Sequence, residues 1–233
     1  MKIIKAIFAF LVRLALLCIL SSVALVIVLK WVDPPTTSLM IQTEIKARLA
    51  GYEKASINYH WVAYADISPY VPLAMVASED QKFPTHNGFD FEAIEKALKH
   101  NEQGRRLHGA STISQQVAKN LFLWPQRSYP RKGLEAYFTF LIETLWSKQR
   151  ILEMYVNIVQ LSNNDFGVGA ASERFFNKSP SSLSADEAAL LAAVLPGPSK
   201  YRVNNPSSYV LKRRDWILRQ MQALGGPGYL SNL

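Results

Sequence analysis

A chain of 233 residues has room for one soluble domain and one further segment, and it is too short for several large domains. The formal net charge is +8, but four of the 26 basic residues lie in or beside the apolar N-terminus, and the remaining 22 bases against 18 acids give +4. This excess is too mild to indicate a nucleic-acid partner, and it suits work near an anionic lipid surface. The single cysteine, Cys18, excludes an intrachain disulfide.

An apolar stretch over residues 3–30 predicts a membrane anchor. Residues 14–29 carry no charge. With the apolar residues before Arg13 they reach the roughly 20 residues that a spanning helix needs, provided that the Arg13 side chain extends to the headgroups. A cleaved signal peptide is the alternative. The sequence Lys-Trp-Val at 30–32 has no small-x-small cleavage site, so an uncleaved anchor is favoured.

The charges around the anchor predict its orientation. Three basic residues precede the uncharged run, and only Lys30 directly follows it. By the positive-inside rule the N-terminus lies in the cytoplasm and the rest of the chain lies across the membrane. We therefore expect a cytoplasmic tip and anchor at residues 1–33 and one domain at residues 34–233. Within it, residues 34–72 are a connecting region from which the sequence predicts little.

The stretch of residues 78–90 puts two adjacent acids, Glu79 and Asp80, at the end of a short apolar run. Pro72 suits the first turn of a helix, so Glu79 would lie near the last turn of that helix, where the helix dipole favours cations. A tight turn with an Asn-Gly pair follows, and Asp90 is typical of the N-cap of a next helix. This arrangement would hold Glu79 at the rim of a packed scaffold. A solvated acidic helix end is the alternative.

A second polar segment begins at Gly109, where a glycine lets other backbone approach, and predicts a helix. Thr112 as N-cap and Gln115 complete a capping box, and the free N–H groups at the helix start form a natural phosphate site. Ser111, Gln115 and Lys119 repeat every four residues and so share one face. Such a polar stripe is either solvated surface or the wall of a sugar–phosphate cleft.

The segment over residues 121–129 is apolar, and it is either core or an edge dipped into lipid headgroups. Pro130 then predicts the first turn of a long helix. On this helix Arg131, Lys132 and Glu135 are three or four residues apart and meet on one face. The simplest interpretation is a surface ion pair worth about 0.3–0.5 kcal/mol.

Three later segments are assigned structural roles. Residues 148–157 are helical in pattern and lead to Phe-Gly-Val-Gly at 166–169. Ser184 and Glu187 predict another capping box, at the start of an apolar helix that extends to residue 195. A last helix is predicted over about residues 207–224, before a Gly-Gly pair.

Five blocks stand in a fixed order along the chain. They are Glu-Asp-x-x-Phe-x-x-His-x-Gly-Phe-Asp at 79–90, Gly-x-Ser-Thr-Ile-x-Gln-Gln-x-x-Lys-Asn at 109–120, Arg-Lys-x-x-Glu at 131–135, Lys-x-x-Ile-Leu-Glu-x-Tyr-x-Asn at 148–157, and an apolar block at 183–196. Together they resemble the glycosyltransferase family that polymerises lipid II into peptidoglycan strands and that class A penicillin-binding proteins share. The resemblance covers about residues 70–200. No transpeptidase domain follows, which is the pattern of the monofunctional form.

The chain departs from the family pattern at three places. Leu161-Ser162 stand where relatives usually have a Phe-Gly pair, and Gly169 stands where an acidic or amide residue is common. Thr85-His86-Asn87 replaces the usual paired histidines. The two carboxylates and the basic residues are intact, so the departures concern the geometry of one loop more than the activity.

The resemblance implies a mainly α-helical fold, with a lysozyme-like helical lobe beside a small membrane-proximal lobe and one N-terminal transmembrane helix before them. It also implies a single-pass protein of the bacterial inner membrane with a periplasmic catalytic domain. The implied partners are lipid II, the growing glycan strand and the membrane, with cell-wall synthesis or division proteins as further candidates.

The resemblance also assigns roles to the site residues. Glu79 is the general base for an attacking sugar 4-hydroxyl, and the cations stabilise the leaving pyrophosphate. Glu135 is the second catalytic residue, which orients the cations or holds a divalent ion such as Mg²⁺ or Mn²⁺; no other cofactor is expected. The implied substrate-binding residues are Asp80, Ser111, Gln115, Gln116, Lys119, Asn120, Arg131 and Lys132.

Two other functions stay open. A lysozyme-like hydrolase would use Glu79 as a general acid, but it has no need for a basic set that binds pyrophosphate or for a membrane span. A catalytically silent scaffold could bind division or elongation proteins through the anchor, but it would not need Glu79 and Glu135 intact.

Overall fold

The computed structural model of the chain describes residues 1–51, 56–102, 111–126 and 128–233, and this part is mainly α-helical. Its helices are α1 (Lys2–Val28), α2 (Ser38–Leu49), α3 (Tyr70–Glu79), α4 (Phe91–Glu102), α5 (Ile113–Phe122), α6 (Tyr129–Leu145), α7 (Lys148–Ile158), α8 (Gly167–Phe176), α9 (Ala185–Ala193) and α10 (Ser208–Ala223). Two short strands, β1 (Asn58–Tyr59) and β2 (Asp165–Phe166), pair in parallel with Asn58 opposite Asp165. The predicted fold class is confirmed.

Helix α1 is the one helix in the described residues that is long and apolar enough to cross a membrane. It has 27 residues and a mean hydropathy of 2.7 over its most apolar part, and Val26 is its only buried residue. At 1.5 Å per residue it is about 40 Å long, which exceeds the roughly 30 Å of a bilayer's hydrocarbon core. Its exposed apolar surface is therefore that of a single membrane anchor.

The C-terminal end of α1 is joined to the α6–α7 corner by hydrogen bonds. The indole Nε1 of Trp146 donates to the carbonyl of Val26 at 2.8 Å, and the guanidinium of Arg150 donates to the carbonyl of Leu29 at 3.1 Å. Arg150 also pairs with Asp33 at 2.9 Å. Since the last carbonyls of a helix have no partner within the helix, these bonds complete the end of α1.

Helix α3 lies at the centre of the core. Its residues 71–77 are all buried, and it packs against α7, α9 and α10. A helix that is apolar on all sides is stable only when other elements surround it. The helix is thereby fixed in position up to its last residue, Glu79.

The predicted helix caps at three positions are confirmed. Asp90 Oδ1 accepts a hydrogen bond of 2.9 Å from the amide of Ala93 at the start of α4. Thr112 forms a capping box at the start of α5, and Ser184 forms one at the start of α9. Helix α9 ends at Ala193, slightly before the predicted end.

The connecting region of residues 34–72 contains a helix that the sequence analysis did not predict. Helix α2 begins after Thr37, whose hydroxyl accepts from the amide of Met40 at 3.2 Å. Its residues Ile41, Ile45 and Leu49 repeat every four positions, but all three are exposed. The apolar face therefore does not point into the core.

Candidate active site

Glu79 is the last residue of α3, and its carboxylate is held by two other helices. Gln116 of α5 donates to Oε2 at 3.0 Å, and Arg213 of α10 lies 3.4 Å from Oε1. The side chain is 20% exposed, so it reaches the surface at the end of a buried helix. This is the predicted position in the last turn. The sequence analysis missed Arg213, because it lies 134 positions further along the chain.

Gln116 is itself positioned by a buried tyrosine. The hydroxyl of Tyr155 on α7 lies 3.4 Å from Oε1 of Gln116. Burial raises the pKa of Tyr155 well above its ordinary value, and the nearby Glu79 and Asp80 raise it further. The phenol therefore stays protonated and donates to the amide oxygen, which turns the amide NH₂ toward Glu79.

Asp80 differs from its neighbour because its carboxylate is buried and fully engaged by the protein. Oδ2 accepts from the amide of Ile113, the first residue of α5, at 2.9 Å. His86 Nε2 lies 2.9 Å from both oxygens, and the amide of Gly88 donates to His86 Nδ1 at 3.1 Å, which leaves the ring proton on Nε2. A negative charge at a helix N-terminus is favourable, so these contacts stabilise the buried carboxylate, and substrate binding by Asp80 stays a prediction.

Gly88 is required by the turn that presents His86. Its φ is +84°, which L side chains rarely adopt, and a Cβ there would lie 2.8 Å from the Thr139 side chain on α6. The Gly88 carbonyl also accepts from the Thr112 hydroxyl at 2.7 Å. This part of the predicted Asn-Gly turn is confirmed, whereas Asn87 has an ordinary negative φ.

Helix α5 divides its polar residues between capping and the site. Gln115 is buried, and its side chain accepts from the Thr112 amide at 3.0 Å in the capping box. Ser111 is exposed, and Gln116 faces Glu79. The predicted stripe of Ser111, Gln115 and Lys119 therefore does not form one polar wall. The predicted backbone approach at Gly109 lies outside the described residues. The predicted phosphate site at the helix start is already occupied in part, because the amide of Ile113 donates to Asp80 and that of Gln115 donates to Thr112.

The three charged residues of α6 form a cluster that is more buried than a surface ion pair. Arg131 donates to Oε2 of Glu135 at 2.8 Å, and Lys132 lies 2.5 Å from Oε1. The side chain of Glu135 is 3% exposed and that of Arg131 is 10% exposed, whereas Lys132 is half exposed. A buried carboxylate needs such partners, and here it also fixes the position of both cations.

Lys119 interacts electrostatically with both carboxylates, Glu79 and Glu135, and with the two cations of α6. Its pKa is lowered, first by burial and then by Arg131 and Lys132, while Glu135 and Glu79 oppose the shift. Its interactions with these charged groups are coulombic, without a hydrogen bond among the causes of the shift. Lys119 is therefore a cation that an added anion would stabilise.

A pocket of about 320 Å³, which we call the cationic pocket, opens beside these charged residues. Trp124 contributes to its apolar edge, and the polar side chains that line it are Gln42, Gln116, Lys119, Asn120, Arg131 and Gln160. The size is that of a small-molecule site, and two cations with four amides suit a phosphorylated sugar. The pocket is therefore lined by Lys119 of the predicted stripe, but not by Ser111 or Gln115.

A second ion-paired group supports the site from the side of the turn. Lys148 at the start of α7 pairs with Glu143 of α6 at 2.8 Å and donates to the carbonyl of His86. Glu143 also accepts from the hydroxyl of Ser114 on α5. These bonds join α5, α6, α7 and the turn, which fixes the relative positions of the site residues.

The loop that departs from the family pattern is built around Asp165. This carboxylate is fully buried, accepts from Asn58 at 3.0 Å and from the hydroxyl of Ser162, and pairs with Arg174 at 3.2 Å. Ser162 thus supplies a hydroxyl that a glycine cannot. These contacts make the loop an ordered polar network around Asp165.

Gly169 is explained by its contact with His60. A Cβ at residue 169 would lie 2.6 Å from the backbone oxygen and ring of His60. The space that an acidic or amide side chain would need is therefore occupied.

Comparison with known proteins shows the family of this chain. The transglycosylase family model matches residues 46–222. A biosynthetic peptidoglycan transglycosylase of Cronobacter sakazakii is 50% identical over 223 residues, which are 94% of this chain and 92% of the relative. A protein of that name from Xanthomonas campestris is 50% identical (90% of this chain, 85% of the relative), and one from Salmonella paratyphi B is 54% identical (86% and 83%). The chain belongs to the transglycosylase family.

Proposed function

We propose that this transglycosylase polymerises lipid II into peptidoglycan strands. The acceptor 4-hydroxyl attacks the anomeric carbon of a donor linked to polyprenyl pyrophosphate, with inversion. The observation that supports this most is the meeting of Glu79 with Lys119 and the Arg131–Lys132–Glu135 cluster. This reaction needs both a base and a set of cations for the leaving group.

Glu79 is the base in this mechanism. As the new C–O bond forms at the anomeric carbon, the hydroxyl proton passes to the carboxylate and the bond to pyrophosphate breaks. Gln116 occupies Oε2, while Oε1 has two longer contacts, with the hydroxyl of Ser78 at 3.3 Å and with Arg213 at 3.4 Å, and the side chain is partly exposed. An acceptor hydroxyl can therefore approach Oε1 without breaking the bond that orients the carboxylate.

The leaving pyrophosphate is stabilised by Lys119, Arg131 and Lys132. Lys132 is half exposed and Lys119 lines the pocket, so both can donate to phosphate oxygens. A bound anion would restore the pKa of Lys119 toward its ordinary value, which makes anion binding favourable there. Glu135 holds Arg131 and Lys132 in position, and we assign it this orienting role.

A divalent ion does not fit the position of Glu135. Both carboxylate oxygens already bind cations, and a metal ion there would face the charges of Arg131 and Lys132. In the described residues no group of three or more His, Cys, Asp and Glu side chains could hold a metal. We therefore derive no step through a metal at this cluster.

The single anchor helix supports a membrane-bound enzyme acting on lipid-linked substrates. With the basic residues before α1, the positive-inside rule places residues 1–33 as cytoplasmic tip and anchor, and residues 34–233 on the periplasmic side of a bacterial inner membrane. The enzyme and its lipid-linked substrates would then lie at the same membrane surface.

The test is to incubate the full-length protein in liposomes with labelled lipid II and to separate the products on a gel. Polymer that a muramidase converts to disaccharide units is the expected result. Absence of polymer with a well-folded protein would contradict the proposal. Release of soluble sugars from preformed strands, without polymer, would instead indicate the hydrolase.

A further inference from the structure

The C-terminal end of the chain folds back onto the helix that ends in Glu79. Helix α10 ends at Ala223, and Gly225 and Gly226 follow with φ of +94° and +71°. A Cβ at either glycine would have no atom of the described residues within 4 Å, so the positive φ is the reason for glycine there. We call residues 225–233 the C-terminal tail. It has no role in the reaction described above, and the five family blocks end before it.

The C-terminal tail is held in place by core packing. Leu230 is buried in the hydrophobic core, and Leu233 packs against that core. Between them and α10, residues 226–230 form a short 3-10 helix that contacts both α3 and α10. The position of the tail relative to the end of α3 is therefore fixed by apolar burial.

The hydroxyl of Tyr229 in the tail donates a hydrogen bond of 2.7 Å to the backbone carbonyl of Gln81. Gln81 is the second residue after Glu79, in the turn that leads to His86. Burial raises the pKa of Tyr229, and the nearby charge of Asp80 raises it further, so the phenol stays protonated at neutral pH. The tail thus supplies a donor to a carbonyl just beyond the last turn of α3, where partners within the helix are lacking.

The side chain of Gln81 is held by α10 as well. Its Nε2 donates to Oε1 of Gln220 at 3.2 Å. Gln220 lies seven positions after Arg213, which is two helical turns, so both side chains face the end of α3. Arg213 donates to the hydroxyl of Ser78 at 3.0 Å. Helix α10 and the tail therefore bind the chain on both sides of Glu79, one residue before it and two residues after it.

We propose that Tyr229 is a positioning residue for the base, and that the C-terminal tail keeps the carboxylate of Glu79 within reach of the acceptor hydroxyl. This inference rests on the proposed function. A base contributes its full effect only when the reacting atoms are held about 3–3.5 Å apart. Loss of the Tyr229 bond frees the carbonyl of Gln81, and the carboxylate then spends less time in that geometry. The residues that line the cationic pocket are untouched, so donor binding does not depend on this bond.

The test uses the full-length protein with Tyr229→Phe, which keeps the ring and removes the hydroxyl. The matched control is Tyr59→Phe, because the hydroxyl of Tyr59 also donates to a backbone carbonyl, that of Pro34, at 2.8 Å. Both tyrosines are half-buried, and each variant loses one hydrogen bond of the same kind. We expect similar small changes in melting temperature, so a difference in rate between the variants reports on the position of the base.

The first measurement is the initial rate of polymerisation over a range of lipid II concentrations. We expect Tyr229→Phe to lower kcat about tenfold and to leave KM unchanged, because displacing a catalytic group by about 1 Å can cost about 10²-fold and one lost bond displaces it less. Tyr59→Phe should keep both constants. If the hydroxyl of Tyr229 is only structural, the two variants will have the same kcat, and that result would overturn the inference.

The second measurement is amide hydrogen exchange of the protein without substrate. The amides of Asp80 and Phe83 donate to the carbonyls of Val76 and Asp80 at 2.9 and 3.0 Å, so both report on the chain around Glu79. Their exchange should be roughly twofold to tenfold faster in Tyr229→Phe than in the Tyr59 control. Unchanged exchange would also overturn the inference. If the unaltered protein makes no polymer, the proposed function fails, while exchange still shows whether the tail holds the turn, so the two failures are distinguishable.

Discussion

The amide of Gln116 donates a hydrogen bond of 3.0 Å to Oε2 of Glu79, and this bond connects the end of the central helix α3 to the lining of the cationic pocket. Glu79 has a neutral donor at 3.0 Å and one cation, Arg213, at 3.4 Å, whereas Glu135 is paired closely with two cations. The two carboxylates thus have different environments, and this supports different roles for them.

Replacing Glu79 by glutamine should remove the base and keep the shape. We expect Glu79→Gln to lower the initial polymerisation rate by about 10²–10⁴-fold, because a positioned base contributes that much. The melting temperature should stay within a few degrees of the unaltered protein. Glu173→Gln, an exposed position on α8, is the matched control. Substantial turnover by a folded Glu79→Gln protein would remove Glu79 from the mechanism.

Asp80→Asn should act on stability. The new amide presents an NH₂ where Asp80 accepts from Ile113 or His86, so one buried donor loses its acceptor. We expect a loss of about 1–3 kcal/mol in the free energy of unfolding, measured by urea denaturation. The exposed Asp66→Asn is the control and should change little. An Asp80→Asn protein as stable as the control would show that these bonds contribute nothing.

Lys132→Ala should impair use of the donor without unfolding the protein, since Lys132 is half exposed. Loss of a hydrogen bond to a charged phosphate is expected to cost about 1.5–3 kcal/mol of binding, which is roughly a tenfold to hundredfold rise in KM for lipid II. The control is Lys212→Ala on α10. If the two variants have the same KM for lipid II, Lys132 is a solvated helix residue that does not contribute to donor binding.

Lys119→Met should stabilise the protein while abolishing polymerisation. Burial lowers the pKa of Lys119, so the folded state binds its proton less tightly than the unfolded state, and the charged lysine reduces stability at neutral pH. As the pH rises through the lowered pKa, Lys119 loses its charge in the folded protein. The difference in the free energy of unfolding between Lys119→Met and the unaltered protein should therefore decrease. Melting curves from pH 7 to 10, with Lys212→Met as control, measure this. A variant less stable than the unaltered protein would contradict it.

Gly169→Ala should destabilise the protein, because the new Cβ would lie 2.6 Å from the backbone oxygen of His60. Overpacking of this kind costs about 1–3 kcal/mol. Gly133→Ala is the matched control: it lies within α6 with nothing within 4 Å of its Cβ position, and it should stabilise by about 0.5–1 kcal/mol. Thermal melting of both variants should give shifts of opposite sign, and shifts of the same sign would contradict this account.

The features that the sequence predicted correctly are set by neighbouring residues. The caps at Asp90, Thr112 and Ser184 depend on side chains three positions apart, and Glu79 lies at a helix end because Pro72 and the apolar run define that helix. Residues this close in the chain lose little conformational entropy when they meet, so the local sequence determines such interactions.

The features that the sequence did not predict depend on competition or on distant contacts. Gln115 has suitable spacing for a cleft, but the capping box uses its side chain, and Gln116 takes the position beside Glu79. Arg213 reaches Glu79 only because α10 packs on α3. Spacing along one helix cannot reveal which of its faces a distant helix will meet.

The bonds of Arg150 and Trp146 to the end of α1 have a mechanical consequence. A domain on a loose tether would tumble, and its pocket would meet the membrane in random orientations. Here the last turn of α1 is bonded to the corner between α6 and α7, which restricts rotation of the pocket relative to the anchor. In a membrane, the search for a lipid-linked substrate would then take place in two dimensions and over a narrower range of orientations.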